Sequence, residues 1–208
     1  MTPPRKWIIG NGTALDWAAD AWSSLLGTAA VEKIAIPQSA SHEFDLGVLD
    51  ALSPSEGTAF AAFDERFGNF KRMELMALLM GHGFTLEPFI SPRALLAGDV
   101  QAGRNAFVGD GAIVGHASRI GYNSVLLPGA QVGNGVHIGP SCWLEPGVIV
   151  GQGARIGAHC TLRTGALVAA GVQIGRNCEL GWPQRYDRDV AAKTTFDPRY
   201  DAPIYTYG

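Results

Sequence analysis

The stretch 113–138, IVGHASRIGYNSVLLPGAQVGNGVHI, places an aliphatic residue at every sixth position: Val114, Ile120, Leu126, Val132 and Ile138. The register extends back through Val108, Ala102 and Leu96 to Ile90, and forward through Leu144, Val150, Ile156, Leu162, Val168 and Ile174 to Leu180. Neither a 3.6-residue helix nor an alternating strand has a strict period of six, whereas a chain that turns a corner every six residues does. Two further columns agree. Four residues after each aliphatic stands a small side chain, such as Ala112, Ser118, Ser124, Ala130 or Val136. Three residues after it the chain mostly places Gly, Asn or Asp, among them Asp99, Asn105, Gly111, Asn123 and Gly135, which tolerate the positive φ of a tight corner. Arg93, Ala117, Ser141 and His159 are the exceptions. Three hexads per turn make a triangular parallel β-helix with 18 residues per coil, its strands stacked about 4.8 Å apart. Residues 90–180 form this unit.

Residues 1–89 follow another rule. KWIIG (6–10), VEKIAIP (31–37) and TAFAAFD (58–64) read as strands, NGTALDWAADAWSSLLG (11–27) and a segment from about 69 to 80 as helices. Alternating β and α segments indicate a small open parallel sheet of Rossmann-like α/β type. The turn Gly10, Asn11, Gly12 could set backbone N–H groups and a helix N-terminus against a phosphate, and a tight strand-to-helix turn explains it equally well.

Composition restricts the function. The formal charge of −3 gives no electrostatic reason to expect nucleic acid or an anionic membrane as partner. No apolar run reaches the roughly 18 residues of a membrane span, and the start, MTPPRKWIIGNG, has no signal-peptide core, so a cytoplasmic protein is expected. Cys142, Cys160 and Cys178 are 18 apart and fall in one inward column as packed small thiols, implying neither a disulfide nor a metal site.

The hexapeptide pattern resembles the left-handed β-helix of the hexapeptide-repeat acyltransferases. The whole of about residues 5–180 is similar to the sugar acetyltransferases of the bacillosamine, perosamine and sialic acid pathways. The GNG turn, GNFKRMELMALLMGHGF (68–84), the joint FISPRALL (89–96) and AIVGHASRIG (112–121) carry the similarity. The resemblance implies an acetyl-CoA-dependent N- or O-acetyltransferase acting on a nucleotide-linked sugar in glycan or surface-polysaccharide biosynthesis, working as a homotrimer without a metal. His116 lies at the place of the family's catalytic histidine, and an imidazole can take a proton from an amine or hydroxyl at neutral pH. Gly133 and Asn134, one coil further on, correspond to contacts with the thioester arm of CoA; Asn134 is equally well explained as a corner residue. Gly10, Asn11 and Gly12 correspond to a sugar-nucleotide site.

Departures from the family pattern are specific. The acidic residue that usually follows the histidine is Ala117 here, and a second histidine nine residues on is Val125. These changes would suit the alternative, a non-catalytic trimeric sugar-nucleotide-binding or scaffold protein. The tail 181–208 carries Trp182, Tyr186, Phe196, Tyr200, Tyr205 and Tyr207, aromatic enough to dock on a neighbouring coil or cover a donor groove. Leu127, Trp143, Ile149 and Leu167 stand at outward positions, and an apolar surface of that kind marks an interface between chains. His137 and His159 fall on positions that do not converge with His116 within one chain, as zinc would require.

Overall fold

The protein is described here by a computed structural model covering residues 5–206, so Tyr207 lies outside the described residues. Its N-terminal part is a three-stranded parallel sheet of order β2-β1-β3, with β1 (Arg5–Gly10) between β2 (Val31–Ala35) and β3 (Gly57–Ala62). Period-two alternation in β1 sends Trp7 and Ile9 to one side and Ile8 to the other. Helix α1 (Gly12–Leu26) covers the Ile8 side through Leu15, Ala18 and Trp22. Helix α2 (Phe70–Gly81) covers the Trp7 side through Leu75, Met76 and Leu79. Among the described residues no helix is long and apolar enough to cross a membrane.

From Phe89 onward the chain forms two-residue strands, one per hexad, stacked into three parallel sheets. Residues 18 apart pair in register: Ile113 with Gln131 and Gln131 with Ile149, Arg119 with His137 and His137 with Arg155. The first face runs upward from Phe89–Ile90, the second from Leu95–Leu96 and the third from Gln101–Ala102. The sixth-residue aliphatics and the small column fill the interior, where Val108, Leu126, Ile138, Leu144, Cys142 and Cys160 are wholly buried. The small column also satisfies carbonyls of the next coil, since Ser118 Oγ donates to Gly133 O at 2.8 Å and Ser124 Oγ to Gly139 O at 2.8 Å. The three cysteine thiols make the same kind of contact at 3.0–3.1 Å.

Positive φ occurs at Asn105, Gly111, Asn123, Gly129 and Gly135 as the corner rule requires, and also at Ala117, Ser141 and His159. Side-chain type therefore does not set the corner; the coil imposes it. Asp99, in the first coil, stays outside the left-handed region.

The first face differs from the other two in being buried on both sides. Its outward residues Phe89, Phe107, Val125 and Trp143 pack against Ile8, Leu15, Trp22 and Phe60, with Trp17 edge-on to Phe107 at 4.6 Å. This corrects the expectation that Trp143 and Leu127 form an interface between chains. The chain's own N-terminal domain buries Trp143 and partly covers Leu127, while Ile149 on the second face stays exposed and Leu167 half-exposed.

Polar groups fix this docking. Asn105 closes the free edge of β3, with its Oδ1 accepting from Ala61 N at 2.7 Å and its Nδ2 donating to Ala61 O at 3.0 Å. It also donates to Asn123 Oδ1, and Asn123 donates to Ser141 Oγ, forming a buried ladder along one corner column. The guanidinium of Arg72, 1% exposed, donates to Asn123 O, Cys142 O and Asn69 Oδ1 at 2.8–3.1 Å and lies over the Trp143 ring. Burial pushes its pKa down to about 10, which leaves it charged at neutral pH.

The tail continues the β-helix. Arg185–Tyr186 pairs with Leu167 and Val168, Val190 bridges to Ile174, and Thr194–Phe196 stacks on Glu179 and Leu180 before an antiparallel strand, Ile204–Tyr205, covers its edge. Tyr186 and Phe196 occupy inward positions, 5.0 Å apart ring to ring, with Trp182 edge-on to Phe196. The aromatics plug the upper end of the coil, where the apolar interior would otherwise meet water.

Because Arg72 supplies the donors for two buried backbone carbonyls, Arg72→Met should lower the unfolding free energy by about 2–4 kcal/mol. Urea unfolding followed by tryptophan fluorescence would measure it, and a loss under 1 kcal/mol would contradict the role assigned to the guanidinium.

Candidate functional site

The site of interest is the corner between the second and third faces. Each coil contributes one turn to it: Asp99 in the first, His116 and Ala117 in the second, Gly133 and Asn134 in the third. Stacking of residues 18 apart brings these turns together. The Asn134 side chain lies against the His116 turn, its Oδ1 accepting from His116 N at 2.9 Å. Asp99, from the opposite side, accepts from Ala117 N through Oδ2 at 2.9 Å, and its Oδ1 stands 3.4 Å from His116 Nδ1.

The histidine is thus held from below and above. A carboxylate does face the ring, although Ala117 cannot supply it. Asp99 is not evident as the histidine's partner from its place in the chain, seventeen residues before it. The signal was present one coil back, since 99 and 117 differ by 18 and share a corner column. The His116 side chain is 76% exposed, so its Nε2 is open to an incoming group.

Close backbone approach explains the glycines on this column. A Cβ on Gly115 would lie 2.3 Å from Asn134 Oδ1, and one on Gly133 would lie 2.8 Å from Gln152 N. Two of the corner's N–H groups, those of His116 and Ala117, are already engaged by side-chain oxygens. The N–H of Asn134 has no hydrogen-bond partner among the described residues and remains able to receive a negative oxygen.

A second element is the turn before α1. Gly10 is required by packing, because a Cβ there would meet Ala62 O at 1.6 Å. Asn11 is spent on structure, donating from its backbone to Ala62 O and from Nδ2 to Ile36 O, both at 3.2 Å. Gly12 has φ +62° with open space around it. No side chain caps α1 and no acidic residue stands in its first turn, so the helix presents free N–H groups and the positive end of its dipole. Among the described residues no hydrogen bond or ion pair links this turn to the His116 corner.

The other histidines have different settings. His137 sits outward on the third face between Arg119 and Arg155, and His159 stacks on Phe70 at 4.2 Å. Burial, with the Arg72 charge, pushes the His159 imidazole below its ordinary pKa. Among the described residues no group of three His, Cys, Asp or Glu side chains could hold a metal ion.

Residues 135–170 match the family model described as bacterial transferase hexapeptide (six repeats). No curated protein matches the chain. A histidine-to-alanine variant of GDP-perosamine N-acetyltransferase from Caulobacter crescentus, solved with CoA and GDP-perosamine, matches with a TM-score of 0.77 at 24% identity, covering 93% of each chain. The acetyltransferase domain of PglB from Neisseria gonorrhoeae, solved with acetyl-CoA, matches with a TM-score of 0.65 at 19% identity, over 96% of this chain and 99% of that one. WeeI from Acinetobacter baumannii matches with 0.51 at 14%, over 96% and 100%.

The left-handed backbone at Ala117 gives a direct check on the corner. Ala117→Gly should raise stability by about 1 kcal/mol, the cost of a Cβ at φ +56°, as measured by urea unfolding. A clear loss of stability would mean the corner is not held in that conformation. In its α/β domain and stacked hexapeptide coils alike, the chain has nearly end to end the fold of these solved structures.

Proposed function

We propose that the protein transfers an acetyl group from acetyl-CoA to an amine or hydroxyl of a nucleotide-linked sugar. The His116 corner carries this reading: a solvent-open imidazole backed by a carboxylate, beside a free backbone N–H, on a fold shared with enzymes solved with CoA and a sugar nucleotide.

His116 Nε2 removes the proton from the attacking nitrogen or oxygen as it adds to the thioester carbonyl. The carbonyl oxygen becomes negative and is received by the Asn134 N–H. Collapse of the tetrahedral intermediate breaks the C–S bond, and the proton held by His116 passes to the leaving thiolate. Gly133 and Asn134 lie one coil above His116, where the pantetheine arm would have to run for its thioester to reach the ring. Lacking side-chain bulk, Gly133 leaves backbone atoms to meet that arm.

The uncapped start of α1 at Gly10, Asn11 and Gly12 is suited to a phosphate of the acceptor. As a single chain the site is wide open, and the adjoining second face carries an exposed row of Leu95, Ile113, Gln131 and Ile149, apolar except at Gln131. A homotrimer in which a neighbouring copy covers this row would exclude water from the reaction. Acetyl-CoA as donor agrees with a cytoplasmic protein making glycan precursors.

The non-catalytic alternative drew its support from Ala117 and Val125; with Asp99 facing the ring, the first of these departures no longer removes the carboxylate from the site, while the histidine absent at Val125 has no such replacement. Thiol release from acetyl-CoA, followed with a chromogenic disulfide across a panel of nucleotide-linked amino sugars, tests the proposal. His116→Ala should reduce kcat by about 100- to 10,000-fold while leaving acetyl-CoA binding intact. Equal rates in the two proteins would rule out the base, and no release with any acceptor would favour the non-catalytic binder.

A further inference from the structure

The role of Asp99 goes beyond general support of the site, and it rests on the acyl-transfer reading given above. We infer that Asp99 is a positioning residue that selects the tautomer of His116, holding the proton on Nδ1 so that Nε2 carries the lone pair.

The two carboxylate oxygens of Asp99 have separate tasks. Oδ2 accepts from Ala117 N at 2.9 Å, which fixes the carboxylate plane against the corner. Oδ1 is thereby left 3.4 Å from His116 Nδ1, at ion-pair distance. A carboxylate can only accept, so a neutral imidazole that hydrogen-bonds to it carries its hydrogen on Nδ1. The histidine's backbone is immobilised by a different residue, Asn134, whose Oδ1 accepts from His116 N. Ring tautomer and backbone position are therefore set by different coils. The arrangement also accounts for how a chain with alanine after the histidine can keep a directed base. The acid has moved one coil back, where the 18-residue stacking returns it to the same corner.

Asp99→Asn separates this role from a structural one. The amide oxygen can still accept from Ala117 N, so the corner keeps its hydrogen bond. The amide NH2 then faces His116 Nδ1 and turns it into an acceptor, which moves the ring proton to Nε2 and removes the lone pair from the reacting side. Kinetically, kcat should fall about 100-fold while the KM for acetyl-CoA changes less than twofold. Spectroscopically, a long-range 1H–15N correlation spectrum of the histidine rings should show His116 as the Nδ1–H form in the parent protein and as the Nε2–H form in D99N, with His116→Gln identifying its signals. Asp99→Ala supplies a second arm, in which the freed ring should give averaged nitrogen shifts.

An unchanged tautomer in both variants would overturn the inference, whatever the rates. Should D99N keep full kcat while His116→Ala loses it, the positioning role fails and acyl transfer stands. Should the parent protein release no thiol at all, the acyl-transfer reading fails, and the ring spectra alone still decide whether Asp99 sets the tautomer.

Discussion

Stacking of residues 18 positions apart is the constraint on which the rest of this structure depends. Between residues 90 and 180 the backbone hydrogen bonds between coils and the contacts of the aliphatic interior follow from it. Its strength is visible where local chemistry disagrees. Ala117, Ser141 and His159 adopt the left-handed backbone that Gly and Asn take elsewhere in the same columns. Such a conformation costs about 1–2 kcal/mol for a residue with a Cβ, and the coils above and below hold it in place. The same register converts distance in sequence into adjacency in space. Asp99, His116 and Asn134 come from three coils and meet at one corner.

A solenoid of short strands has no single closed core, and here the N-terminal domain supplies a second one. It lies along the first face, so that Phe89, Phe107, Val125 and Trp143 are buried from outside as the aliphatic column is from inside. Area burial alone would let the domain slide along the repeat. Asn105 pairing with the edge of β3 and Arg72 reaching the carbonyls of Asn123 and Cys142 select one position. Unpaired donors and acceptors at any shifted register would be left buried, at about 1–3 kcal/mol each. The uncapped N-terminus of α1 is thereby held in a fixed relation to the His116 corner, both on tight turns anchored by packed elements.

Much of this was legible in the sequence, for identifiable reasons. A period of six over some ninety residues has one physical interpretation, and both the interior column and the corner at His116 follow from counting. The strands and helices of the first 89 residues were readable from their apolar runs, with α2 at Phe70–Gly81 against the 69–80 read from the pattern. Three things were not. Outward apolar residues on the first and second faces look alike in sequence, yet only those of the first lie under the N-terminal domain; which face receives it is a tertiary choice. Tyr186 still keeps the register, six residues after Leu180, but beyond it the tail abandons the hexad spacing, so Val190 and Phe196 could not be counted into the coil, although a bridge and strand pairing put them there. Asp99 was read only as a corner residue, because the search for an acid followed the chain and not the stack.

The function proposed for this corner requires that it receive an acetyl thioester. Isothermal titration of the purified protein with acetyl-CoA tests it most directly, since donor binding needs no knowledge of the acceptor. Saturable binding with one site per chain is the predicted result. No heat of binding, with or without sugar nucleotides present, would contradict it.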